Sequence, residues 1–250
     1  MRRRVGGAGV LCAVVLLALG AAPDRMCGQG AAASVQATGV QPVGMPRVTF
    51  AFEREGVPVP KFTLEIGPNG AGRYAGDEAA PVVHGDGVAA WDKNVSTKGF
   101  ERGFVLSRET TGKIFALAGE LKHFNVACAS KVKNIADTGT KTLSYAGADG
   151  SGSCTYNYSE NKKVDDITTI LLGIVETMDE GRRLDDLHRY DRLGLDDAIT
   201  FLAQEVSEGR ALEVGTIAAS LHSLADDAEV MQRVRARANT LLALVPAELR

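Results

Sequence analysis

Arg47-Val48-Thr49-Phe50-Ala51-Phe52-Glu53 and Lys61-Phe62-Thr63-Leu64-Glu65-Ile66 are the two stretches that decide the fold class. In both, large apolar residues occupy every second position. Side chains of a strand point alternately to its two faces, so Val48, Phe50 and Phe52 share one face, as do Phe62, Leu64 and Ile66. Both stretches therefore read as strands of a sheet with one buried face. Pro68-Asn69-Gly70 supplies a turn, since Asn and Gly tolerate positive φ. Gly72 to Ala75 is the expected returning strand, and Phe100 to Leu106 another. Between them, residues 77–98 carry Asp77, Glu78, Pro81, Gly85 and Gly87 and read as loop, with Trp91 placed to pack back on the sheet.

Working outward, Ile114, Leu117, Ala118, Leu121 and Phe124 recur at spacings of three and four, which predicts a helix over roughly 109–123. Ser107, Thr110 and Thr111 are its candidate N-caps. A second hairpin follows. Thr140 to Tyr145 and Ser153 to Tyr158 are rich in Thr and Tyr, and Gly147 to Gly152 joins them. Tyr145, Tyr156 and Tyr158 suit either a contact surface or the core. Cys154 lies on the second strand and Cys128 just beyond the helix, so a Cys128–Cys154 disulfide would tie the helix exit to the sheet.

From Asn161 the pattern is helical to the end, with about five helices expected. Val164, Ile167, Ile170, Leu171, Ile174, Val175 and Met178 form one apolar stripe, and Gly181 is read as its C-terminal stop. Leu184, Leu187 and Leu193 belong to a charged helix ended by Gly194. Asp196 is the expected cap of a third helix, which ends at Gly209. Leu212, Ile217 and Leu221 mark a fourth. Asp226-x-x-Glu229 reads as a capping box for a fifth, which carries Val230, Val234, Leu241, Leu242 and Val245 up to Pro246. Strands first and helices afterwards give an α+β protein: a β-rich module at 47–160 with one packed helix, then an all-helical module at 161–250.

At the other end, Arg2-Arg3-Arg4, the apolar run Val10 to Leu19 and the small residues up to Ala33 have the three-part pattern of a secretory signal sequence at 1–33. The apolar run is shorter than the ~20 residues that span a bilayer. Arg25-Met26 before Cys27 departs from a lipoprotein signal. Residues 34–46 read as a flexible mature N-terminus. Cleavage near Ala33 would remove Cys12 and Cys27, leaving Cys128 and Cys154 as a pair for an oxidising compartment. It would also leave 24 basic and 30 acidic residues, a net charge of −6. A secreted or periplasmic location is expected, with no stable membrane span in the mature chain. An acidic balance opposes nucleic-acid binding, which rests on positive charge facing phosphates.

His188 is the chemical candidate. Asp185 and Asp191 stand three residues on either side and share its helix face, an arrangement able to orient an imidazole base. The surrounding run of Arg and Asp favours a solvated, ion-paired face instead. His84-Gly85-Asp86-Gly87 and Asp149-Gly150-Ser151-Gly152-Ser153 read as turns; the second lacks the alternating acids and closing Glu of a calcium loop. His123 with Cys128 would make a thiol–imidazole pair, which the disulfide pre-empts. Arg233, Arg235 and Arg237 read as a solvated face, with Glu229 paired to Arg233. Asn94-Val95-Ser96 and Asn157-Tyr158-Ser159 match the glycosylation sequon, relevant only in a eukaryotic secretory host. The chain carries no Gly-x-Ser-x-Gly, P-loop or His-Glu-x-x-His, and no cofactor or metal set is assigned. The first functional expectation is thus an exported, non-catalytic binding protein whose partner is another protein or an envelope component. The alternatives are an exported hydrolase using His188 with Asp185 or Asp191, and a self-associating structural envelope protein.

Overall fold

A computed structural model of the chain describes residues 44–79, 81–83, 89–91, 97–132 and 134–249. The signal-sequence reading, the His84 to Gly87 loop, the Asn94 sequon and the side chain of Trp91 lie outside the described residues. The fold is mixed α+β. In chain order the strands are β1 (Arg47–Glu53), β2 (Lys61–Ile66), β3 (Ala71–Ala79), the short pair β4 (Pro81–Val83) and β5 (Ala89–Trp91), and β6 (Thr97–Val105). Then come α1 (Arg108–Glu120), β7 (Thr140–Gly147), β8 (Gly150–Tyr156), α2 (Lys162–Tyr190), α3 (Leu195–Ser207), α4 (Ala218–Asp226) and α5 (Gln232–Ala243).

Six strands form one antiparallel sheet in the order β6-β3-β2-β1-β7-β8. The alternation in β1 and β2 has the expected outcome: Val48, Phe50, Phe62, Leu64 and Ile66 are buried on one face. Phe52 packs against that core while remaining half-buried. An aromatic row crosses four adjacent strands at one end of the sheet. Phe52 stacks on Phe62 with ring centroids 5.0 Å apart, Phe62 meets Tyr74 at 5.6 Å, and Tyr74 meets Phe100 at 5.0 Å. Gly76 pairs with both Phe62 and Phe100, and a Cβ there would lie 2.9 Å from atoms of each. Its missing side chain is what admits the rings.

Helix α1 and the first half of α2 cover the buried face, with Ile114, Ala118, Ile167, Leu171, Ile174 and Met178 in the same core. Ser107 caps α1, its Oγ accepting from the Thr110 amide at 3.2 Å. A second cap is remote in sequence. The Glu213 carboxylate accepts from the Ser107 amide at 2.8 Å, from Ser107 Oγ at 2.7 Å and from Thr110 Oγ1. A carboxylate there also faces the positive end of the helix dipole. Helix α1 stops at Glu120, three residues before the expected end. Lys122, His123 and Phe124 follow with φ of 53°, 56° and 65°, a left-handed turn that non-glycine residues adopt at a cost. Burial of Phe124 and stacking of His123 on Tyr145, with centroids 4.2 Å apart, offset that cost. Just beyond, the Cys128 and Cys154 sulfurs lie at bonding distance with Cα atoms 5.9 Å apart, so the expected pair joins the α1 exit to β8.

Gly181 does not end a helix. Helix α2 runs 29 residues, about 43 Å, through it. A Cβ on Gly181 would sit 2.3 Å from Ile217 Cγ2, so the glycine marks the close approach of the Val214–Ile217 turn and not a stop. Thr177 Oγ1 donates to the Leu212 carbonyl at 2.6 Å, and the Leu212 amide donates to the Gly173 carbonyl at 2.9 Å, pinning the same crossing. The hydrophobic clusters consequently divide within α2. Its residues up to Met178 belong to the sheet core, and Leu184 joins the core of α3, α4 and α5. The change of secondary structure near residue 160 and the change of core are separate events.

Two caps also differ from expectation. Asp196 lies in the first turn of α3, with Gly194 at the cap, and binds Arg233 at 2.9 Å and Arg237 at 2.7 Å. Asp226 is the last residue of α4. Its neighbour Asp227 accepts from the Glu229 amide at 2.8 Å, and Met231 stands at the α5 cap without a side-chain bond. Among the described residues, no helix is long and apolar enough to cross a membrane.

Candidate functional site

His188 sits in the last turn of α2 with 22% of its side chain exposed. Its Nε2 meets Asp227 Oδ2 at 2.8 Å, and Arg192 approaches the same oxygen at 3.3 Å. Neither carboxylate expected as its partner is one. Asp185 pairs with Arg102 on β6, and Asp191 accepts from the Leu193 amide at 3.3 Å. Asp185 and His188 do lie one turn apart on α2, but the helix ends at Tyr190 and Asp191 follows it in a non-helical conformation, and the side chains are drawn to different neighbours. The true partner comes from the α4–α5 connection, 39 residues away. The hydrogen bond from His188 holds the Asp227 carboxyl below its ordinary range, with help from the Glu229 amide and Arg192. An open depression of about 610 Å³ is lined by His188, Asp185, Asp227 and Ser223, among others.

The remaining candidates resolve into structural roles. His123 faces Asp149 at 3.4 Å, while Cys128 is held by Cys154. Asp149 lies in the β7–β8 turn and accepts from Tyr145 Oη at 2.7 Å; burial first, and then this bond, lift the Tyr145 phenol to about 12. Tyr145 and Tyr156 belong to the core, and Tyr158 is exposed. Glu229 pairs with Arg192 at 2.6 Å, not with Arg233. Among the described residues no three His, Cys, Asp or Glu side chains converge as a metal-ion group.

The feature that stands out is a cleft of about 820 Å³ between the β1–β2 connection and the outer face of α2. Phe52, Phe62, Val57, Pro58 and Val59 form its apolar side. The connection is fixed by two backbone bonds, Arg54 amide to Pro60 carbonyl at 2.8 Å and Ala79 amide to Pro58 carbonyl at 2.9 Å. Leu172, Glu176, Asp179, Glu180, Arg183, Leu187 and Tyr190 line the opposite wall. Their spacing of three and four puts them along one helix face.

Behind two of the cleft's residues, Asp179 and Arg182, the aromatic row meets the helix. Tyr74 is fully buried, and its hydroxyl donates to Asp179 Oδ1 at 2.8 Å. Arg182 lies over the Phe100 ring at 3.7 Å and binds Glu78 at 3.0 Å and Asp179 at 3.2 Å. Burial dominates the electrostatics. It pushes the Asp179 carboxyl up to about 6, against the pull of Tyr74 and Arg182. Glu176 and Glu180 are raised by burial as well. Tyr74 is raised by burial first and then by the Asp179 charge.

The chain matches no protein-family model. No curated protein matches it significantly in sequence.

The sequence reading did not single out Tyr74, Asp179 or Arg182. Ending a helix at Gly181 puts Asp179 and Glu180 at a solvated terminus, where acidic residues attract no attention. Tyr74 was placed on the strand returning from the Asn69-Gly70 turn, and a buried phenol there needs a partner. That partner lies 105 residues away.

Proposed function

We propose that the protein is an exported binding protein that takes its ligand in the cleft between the β1–β2 connection and α2. The observation that carries this reading is the cleft itself. Its volume lies within the ~300–1,000 Å³ usual for small-ligand sites, and it joins an apolar side to a few convergent polar groups whose ionisation is perturbed. Export is supported by the signal-like residues 1–33 and by a cysteine pair suited to an oxidising compartment. The test is saturable binding of a neutral apolar dye, Nile Red, to the protein and to Leu172→Trp, which fills the cleft from its α2 wall. One dye per chain, lost in Leu172→Trp while the melting temperature holds, is the expected result. Binding that never saturates, or that Leu172→Trp leaves unchanged, refutes it.

A hydrolase is a second reading, favoured by one observation: His188, Asp227 and Ser223 share an open depression, with the imidazole already bonded to a carboxylate. Hydrolysis of p-nitrophenyl acetate that survives in His188→Ala would dismiss it.

A further inference from the structure

The cleft carries more negative charge than its own cations neutralise. Among the described residues six carboxylates line it, from Glu78, Glu176, Asp179, Glu180, Asp186 and Asp191, against the two guanidinium groups of Arg182 and Arg183. Both arginines are already committed. Arg182 is shared between Glu78 and Asp179, and Arg183 pairs with Glu180 at 3.5 Å. Glu176, half-buried at the middle of the α2 wall, makes no hydrogen bond or ion pair among the described residues. Opposite it lies the apolar side formed by Phe52, Val57, Val59 and Phe62. A carboxylate removed from water without a counter-charge is costly, and a cation brought beside it relieves that cost.

We infer that the ligand is an organic cation with an apolar body, its positive group held by Glu176 and Glu180 and its apolar part lying on Phe52, Val59 and Phe62. This rests on the cleft being a binding site. An anion would meet the surplus carboxylates, and a neutral apolar molecule would leave the half-buried Glu176 unmatched. Burial raises the Glu176 and Glu180 carboxyls, and the neighbouring arginines only partly offset it. Glu205 on α3 adds to the rise at Glu176, and Arg210, held by Glu205 and Glu208, only partly opposes it.

The experiment compares three probes of equal chain length, decyltrimethylammonium, decanol and decanoate, by calorimetric titration below their aggregation concentrations. Wild type and Glu176→Gln are measured side by side, with Nile Red displacement as a second readout. The ammonium probe is expected to bind at least tenfold more tightly than the other two. Glu176→Gln should weaken it about three- to tenfold and leave decanol unchanged. Equal affinities for ammonium and alcohol, a preference for decanoate, or indifference of the ammonium to Glu176→Gln each overturn the inference and leave the cleft reading in place. Failure of all three probes, together with failure of Nile Red, overturns both.

Discussion

Replacing Asp179 by Asn should stabilise the protein at neutral pH and leave it unchanged in acid. The Asp179 carboxyl titrates near 6 in the folded chain, against an ordinary 3.8. The folded state therefore holds this proton more tightly than the unfolded state does. The stability that the neutral carboxyl contributes is fully present below about pH 3.8 and is lost as pH rises through about 6. A difference of that size corresponds to ~3 kcal/mol. The side chain keeps 30% of its surface in contact with water, so screening reduces the expected loss to roughly 2 kcal/mol. Asparagine keeps an oxygen to accept the Tyr74 hydroxyl but cannot ionise. Arg182 retains Glu78 and the Phe100 ring. Urea denaturation should then find Asp179→Asn more stable than wild type by roughly 2 kcal/mol at pH 7.5. The melting temperature should be higher by about 4–8 °C. At pH 3, below both values, the two proteins should coincide. A variant less stable than wild type at pH 7.5 would mean that the Arg182 pair outweighs burial. A gain of equal size at both pH values would mean that ionisation is not its cause. Either result refutes the reasoning.

Two helical glycines should respond oppositely to alanine. Gly112 on α1 is exposed with nothing within 4 Å of a new Cβ, so Gly112→Ala should raise stability by about 0.5–1 kcal/mol in thermal melts, the helix-propensity gain. Gly181→Ala forces Ile217 away and should lower stability by ~1–2 kcal/mol after the same propensity gain is set against overpacking; a stabilised Gly181→Ala would show that the crossing has slack. The Cys128→Ser/Cys154→Ser double variant opens a loop of about 27 residues and should lose ~3 kcal/mol in urea denaturation, with no loss expected if the unfolded chain is already restrained there.

Much of the first half could be read from local pattern. Alternation in β1 and β2, the Asn69-Gly70 turn, the spacing of α1 and the Thr- and Tyr-rich hairpin each report on residues within a few positions of one another. Such patterns follow from the two-residue period of a strand and the 3.6-residue period of a helix. The Cys128–Cys154 pair was legible because these two cysteines lie in the folded part of the sequence, one after a helix and one on a strand. The candidate site was much less legible. His188 was found as a residue, but its carboxylate was assigned to helix neighbours when it comes from Asp227.

By itself, then, the sequence determined the fold class, the strand faces and the cysteine pairing. Tertiary structure alone decided that α2 passes through Gly181, that Glu213 caps α1 from 106 positions away, and that Tyr74 bonds Asp179 on the wall of a cleft. The physical reason is one of range. A glycine inside a helix costs only ~1 kcal/mol, a local signal to stop that the packing of Ile217 against α2 overrides. Distant carboxylates and hydroxyls, in turn, choose their partners by burial and geometry, and the order of residues along the chain encodes neither.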